Sequence, residues 1–184
     1  KFVDTGMGFE RICSILQGVK SNYDTDIFMP ILKEIENLSK IKYGASLESK
    51  TDIAMRVIAD HLRALAFAIS DGTLPGNEGR NYVLRRILRR ALRYARELGF
   101  NTPVIYKLVP VLVETMGDYF KELKQNQSII ERVILNEEEN FLQTMERGLD
   151  RIGEIINNNS TSNSNKTISG SEAFLLYDTF GFPL

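Results

Sequence analysis

Apolar residues recur at helical spacing along most of this chain. Residues three and four apart share one face of a helix, so each such run predicts an amphipathic helix with that face turned inward. Phe9, Ile12, Ile15 and Leu16 make the first run, closed by Gly18. A second, from about Thr25 to Leu38, carries Phe28, Ile31, Leu32, Ile35 and Leu38 inward, with Pro30 able to delay its start. A polar loop leads to a third, capped by Thr51 or Asp52 and ended by Asp71-Gly72, with Ile53, Val57, Ile58, Leu62, Leu65 and Ile69 inward. A fourth runs to Gly99, and a fifth from about Pro103 to Met116 with Pro110 as a kink. A long sixth spans about Asp118 to Ile156, with Ile130, Ile134, Phe141, Met145, Leu149, Ile152 and Ile156 as its packed stripe. Its acids, Glu131, Glu137, Glu138, Glu139, Glu146, Asp150 and Glu154, read as a solvated face. Asn157 to Asn165 is a polar tract that cannot bury a core and reads as a loop. Ser169-Gly170-Ser171-Glu172 is a capping box opening a short helix through Tyr177. Lys1-Phe2-Val3-Asp4 reads as the end of a strand, and nothing later reads as a sheet. The fold class predicted is mainly α, a bundle-like helical domain preceded by a strand–helix remnant.

Composition narrows the chemistry. The chain has 184 residues, 43 % hydrophobic and 26 % charged, enough for a packed core. Cys13 is its single cysteine, which excludes an internal disulfide, and together with the single histidine, His61, excludes a four-ligand Cys/His zinc site. Cys13 reads as a packed small residue and His61 as a structural imidazole. No signal peptide and no apolar run of transmembrane length is present, so a cytoplasmic location is expected.

Charge changes the picture most. Arg80, Arg85, Arg86, Arg89, Arg90, Arg93 and Arg96 follow one another with no acid among them. On a helix Arg85 through Arg96 fall within an arc of roughly 140°, opposite Leu84, Ile87, Leu88, Ala91, Leu92, Ala95 and Leu98. The formal net charge is -1, so the seven arginines leave -8 on the rest of the chain. Such a ridge pairs with acids elsewhere or binds an anionic partner. The forked geometry of arginine suits phosphate, and nucleic acid backbones present phosphates at this density.

Three motifs carry candidate chemistry. In Asp4-Thr5-Gly6-Met7-Gly8-Phe9-Glu10-Arg11 two glycines stand at a strand-to-helix junction, where backbone can approach a ligand and a helix N-terminus can face an anion. Arg11 in the first turn could reach a terminal phosphate. Asp4 is either a buried carboxylate at the strand end or a helix N-cap. Asn77, in the loop Thr73 to Gly79 that opens the arginine helix, is either a turn residue or a reader of base edges. Asp178 sits in Tyr177-Asp178-Thr179-Phe180-Gly181-Phe182-Pro183, where a helix end and turn would by themselves account for it.

These segments in series resemble the alanyl-tRNA synthetases, a class II family, over essentially the whole chain. Ser21-Asn22-Tyr23-Asp24-Thr25-Asp26, Arg56 to Arg63 and Tyr82 to Arg90 add to the likeness. The resemblance implies that residues 1–24 are the end of a class II catalytic domain, with motif 3 from Asp4 to Arg11. Residues 25–156 would be the helical acceptor-stem recognition domain, 157–168 a linker, and 169–184 a short helix and turn. It implies that Arg11 contacts the ATP γ-phosphate, that Gly6 and Gly8 line the adenylate site, and that Asp4 with Gly6 holds alanine. Arg80, Arg85, Arg86, Arg89, Arg90 and Arg93 would lie along the acceptor stem. Asn77 and Asp178 would read the G·U pair of alanine tRNA, Asp178 by accepting from an exocyclic amine. ATP with magnesium serves the intact enzyme, while zinc belongs to an editing domain expected after Leu184. Motifs 1 and 2 are expected before residue 1, so the chain alone is expected to be catalytically incomplete and to hold no cofactor. The expected partners are alanine tRNA, ATP and alanine, with no membrane and no DNA. Gly76 departs from the serine frequent before this asparagine. The alternatives are a stand-alone helical RNA-binding module and a helical scaffold.

Overall fold

The computed structural model describes residues 6–161 and 168–179, the side chains of residues 157–161 and 178 excepted. These residues are mainly helical and include no strand. The helices are α1 (Phe9–Leu16), α2 (Met29–Ser39), α3 (Lys50–Ser70), α4 (Gly79–Glu97), α5 (Val109–Met116), α6 (Lys121–Gln125), α7 (Gln127–Thr161) and α8 (Gly170–Asp178). Two 3₁₀ turns, Asn22–Asp24 and Ile105–Leu108, join them. The strand expected at Lys1 to Asp4 lies outside the described residues. The chain divides into two compact units, Lys1–Glu138 and Glu139–Leu184.

α3 is the axis of the first unit, packing most extensively on α4 and also on α2, α5 and α6. Its face toward them is Ala54, Met55, Ile58, Ala59, Leu62, Leu65, Ala66 and Ile69, all buried. From α4 come Leu84, Leu88, Ala91, Leu92 and Ala95. Alanines on both helices let the backbones approach while leucines fill the space between. Each fully buried leucine or isoleucine there stabilises the fold by about 1.5–3 kcal/mol. In the second unit Ile155 and Leu176 are buried. Ser169 and Glu172 form the expected capping box of α8.

The ends of the helices refine the sequence reading. Gly18 and Gly99 take φ of +66° and +89°, the left-handed turn that stops α1 and α4. α2 starts at Met29 rather than near Thr25, because Pro30 fits only the first turn. Thr25 is buried instead, its Oγ1 donating to Asn22 O at 2.7 Å. Ser49, not Thr51 or Asp52, caps α3. Asp52 is engaged elsewhere: its buried Oδ2 accepts from Gly44 N and Ser46 N at 3.2 and 3.0 Å. Pro110 opens α5 rather than kinking a longer helix, since Ile105–Leu108 is a separate turn.

The single helix expected from Asp118 breaks at Asn126. The Asn126 side chain donates to Ser70 O and Oγ at 3.3 Å, at the end of α3, which holds it out of helical register. α7 continues past Ile156 to Thr161, into the tract read as a loop. No Gly or Pro interrupts those positions, and adding a residue to an existing helix costs little even for Asn, Ser and Thr.

Candidate nucleic-acid interface

The loop before α4 is shaped by a close approach. Gly76 N donates to Asn81 O at 2.9 Å, and a Cβ at Gly76 would stand 2.9 Å from Asn81 Cβ. Glycine here therefore goes with any side chain at position 81. Gly79, with φ of +53°, turns the chain into the first turn of α4. The turn leaves Asn77 exposed at the mouth of the arginine helix.

Along α4 the arginines divide into two groups. Arg80, Arg86 and Arg90 are exposed and Arg93 half-buried, and none of the four has a carboxylate within ion-pair distance among the described residues. Arg86 lies over the Tyr82 ring, 5.9 Å from its centroid. Arg85 and Arg89 instead flank Glu137 of α7. Arg85 Nη2 donates to Glu137 Oε2 at 3.0 Å, and Arg85 Nε lies 2.6 Å from Oε1 in ion-pair contact. Arg89 Nε lies 3.9 Å from the same Oε1. Burial and then the adjacent Arg85 guanidinium lower the Arg89 pKa, against the pull of Glu137. Arg85 Nη1 donates to Asn77 Oδ1. The structure thus brings Asn77, Arg85, Glu137 and Arg89 together, and leaves Arg80, Arg86, Arg90 and Arg93 facing outward as a cationic ridge.

The reading of Glu137 and Glu138 as solvated is corrected. Glu137 is 7 % exposed and Glu138 is fully buried. Glu138 Oε1 accepts from the N–H of Val104 and Ile105, and Oε2 from that of Tyr106, each at 2.9 Å. Burial raises the Glu138 pKa, and the three amides only partly offset it. The signal for both was present. Glu137 and Glu138 stand three and four residues after Ile134, and four and three before Phe141, within the packed stripe of α7.

At the other predicted site, Gly8 is the N-cap residue of α1 and offers no side chain to the helix amides. Gly6 has open space where a Cβ would sit, and Arg11 is exposed in the first turn. A glycine-rich helix N-terminus beside an exposed guanidinium is a setting that suits a phosphate, although the Glu10 amide already meets its own carboxylate. Glu10, next to Arg11, pairs with Arg63 of α3. The Glu10 pKa is lowered, first by a backbone hydrogen bond and then by Arg63, against desolvation. Asp4 lies outside the described residues, and so does the side chain of Asp178 at the end of α8. His61 Nδ1 stands 3.2 Å from Asp60 Oδ2, and Cys13 is half-buried with no disulfide. No helix among the described residues is long and apolar enough to cross a membrane.

The chain belongs to the class II tRNA synthetases: the family described as tRNA synthetases class II (A) matches residues 1–184. Within that class its relatives are alanine–tRNA ligases. It is 59 % identical over 184 residues to the alanine–tRNA ligase of Chlorobaculum tepidum, covering 100 % of this chain and 21 % of that one. It is 55 % identical over 185 residues to that of Christiangramia forsetii, with 100 % and 21 % covered. For Staphylococcus epidermidis the identity is 50 % over 184 residues, with 100 % and 20 % covered. The chain therefore spans about a fifth of the length of the relatives it matches.

Proposed function

We propose that this chain is the acceptor-stem recognition part of an alanine–tRNA ligase, with the end of the adenylate site at its start. The observation that carries the reading is the outward ridge of Arg80, Arg86, Arg90 and Arg93, unpaired with any described carboxylate, beside an exposed Asn77. The ridge holds phosphates of the stem, which sets orientation, while Asn77 reads the pair. Asp178 accepts from the unpaired guanine amine of the G·U pair. The relatives favour this reading over a stand-alone RNA-binding module.

In the whole protein, alanine and ATP would give alanyl-adenylate and pyrophosphate, and the alanyl group would pass to a hydroxyl of the terminal adenosine of the tRNA as the acyl–phosphate bond breaks and AMP leaves. Magnesium bound to ATP supplies charge neutralisation of the phosphates. On this chain Arg11 would hold the γ-phosphate, the Gly6 to Gly8 backbone would admit the nucleotide, and Asp4 would hold the alanine ammonium. These groups act by positioning and by charge.

A direct test is titration of the chain with an acceptor-stem hairpin of alanine tRNA across a salt series. The proposal predicts binding that weakens steeply with salt, with a smaller slope when Arg86→Ala and Arg90→Ala are combined. Binding of unchanged strength and slope in that double variant would refute it.

A further inference from the structure

Arg85 shares the face of the ridge but not its exposure. One edge of its guanidinium rests on Glu137, by the 3.0 Å hydrogen bond and the 2.6 Å ion-pair contact, and its remaining nitrogen, Nη1, donates to Asn77 Oδ1. Glu137 is 7 % exposed and held on a long helix, so the guanidinium is anchored from beneath. A guanidinium carries donors only, so the atom of the Asn77 amide that meets it must be the oxygen. The amide nitrogen, with its two N–H donors, is then the part left to face a ligand. An unconstrained asparagine can turn over and offer either end. Here turning over would set N–H against N–H and forfeit a charge-assisted hydrogen bond.

We propose that Arg85 and Glu137 are positioning residues that lock Asn77 as a donor-only reader of a base edge, and that Arg85 is not a phosphate ligand. The first half rests on the reading of Asn77 under Proposed function, and the second stands on the geometry alone. A donor-only asparagine selects a base that presents a carbonyl and disfavours one that presents an amine. On the major-groove edge, opposite the guanine amine, uracil offers a ring carbonyl where cytosine offers an amino group. The lock therefore gives a chemical reason for preferring G·U over G·C at the pair that Asn77 reads.

The test compares the wild-type chain with Glu137→Gln, with Arg85→Met combined with Glu137→Met, and with Arg86→Ala. Each binds two acceptor-stem hairpins that differ only in G·U or G·C, across a salt series, after thermal melting shows it folded. The double Met variant removes the pair without leaving a buried charge alone. Glu137→Gln and the double variant are expected to lower the G·U preference about tenfold, the equivalent of 1.4 kcal/mol. Adding Asn77→Ala to Glu137→Gln is expected to lower the preference no further, because the reader is already unlocked. The salt slope of the double variant is expected not to fall, whereas Arg86→Ala lowers it by about 0.9. Full preference retained in both anchor variants overturns the lock. A slope reduced by about 0.9 in the double variant makes Arg85 a phosphate ligand and overturns the second half. No G·U preference in the wild type would instead refute the reading of Asn77, with the salt slope still deciding the role of Arg85.

Discussion

Glu138 Oε1 accepts the backbone N–H of Ile105 at 2.9 Å, across 33 residues of sequence and in the core. With Val104 and Tyr106 donating to the same carboxylate, α7 caps the turn that leads into α5. Amides at a helical N-terminus have no carbonyl of their own to meet, and here a distant side chain supplies the acceptors.

Replacing that carboxylate is costly. Glu138→Gln sets an amide nitrogen against at least one of the three N–H donors, and is expected to destabilise the fold by about 2–3 kcal/mol in thermal or urea melts. The pH dependence has a definite sign. A raised folded pKa contributes stability that is fully present below the unfolded value of about 4.3 and lost as pH rises through the folded one. The Tm difference between wild type and Glu138→Gln should therefore widen as pH falls toward the unfolded value. A constant difference would contradict a raised Glu138 pKa.

Gly76 and Asn81 constrain one another. Gly76→Ser puts a Cβ 2.9 Å from Asn81 Cβ, a contact that the first turn of α4 cannot easily yield. The expected cost is about 1–3 kcal/mol. Asn81→Gly alone costs about 0.5–1 kcal/mol through backbone entropy. Combined with Gly76→Ser it should recover most of the stability. Additive losses in the pair would place the strain elsewhere.

Arg63 ties α1 to the body of the helical unit. It pairs with Glu10 and lies over the ring of Phe28, 4.6 Å from the centroid. This half-buried ion pair contributes about 1 kcal/mol, the upper end for pairs in contact with water, and a cation–π contact a similar amount. Arg63→Met should therefore speed amide exchange in Phe9–Leu16 by about fivefold to tenfold while exchange in α3 and α4 stays as it was. Equal acceleration throughout would show that Arg63 supports the whole fold rather than α1.

Most helix positions were legible because their signals are local. Apolar spacing placed α1, α3 and α4, and Gly18 and Gly99 marked two of their ends. The ridge was legible for the same reason, since seven arginines without an intervening acid can be counted along one helix. What escaped depends on partners far away in sequence. The helix break at Asn126 follows from Ser70, 56 residues earlier, and the engagement of Arg85 from Glu137, 52 residues later. Residue type alone puts Glu137 and Glu138 on a solvated face, although their positions relative to Ile134 put them on the buried stripe. Periodicity outweighs residue type at such places, because a buried acid needs only a guanidinium or a set of amides to satisfy it.

The central claim is that an arginine ridge holds the acceptor stem while Asn77 reads one pair in it. Binding of the chain to two hairpins differing only in G·U or G·C, across a salt series, measures both parts at once. The account predicts a preference for G·U that persists as salt rises while affinity for both hairpins falls steeply. Equal affinity for the two hairpins at every salt concentration would contradict it.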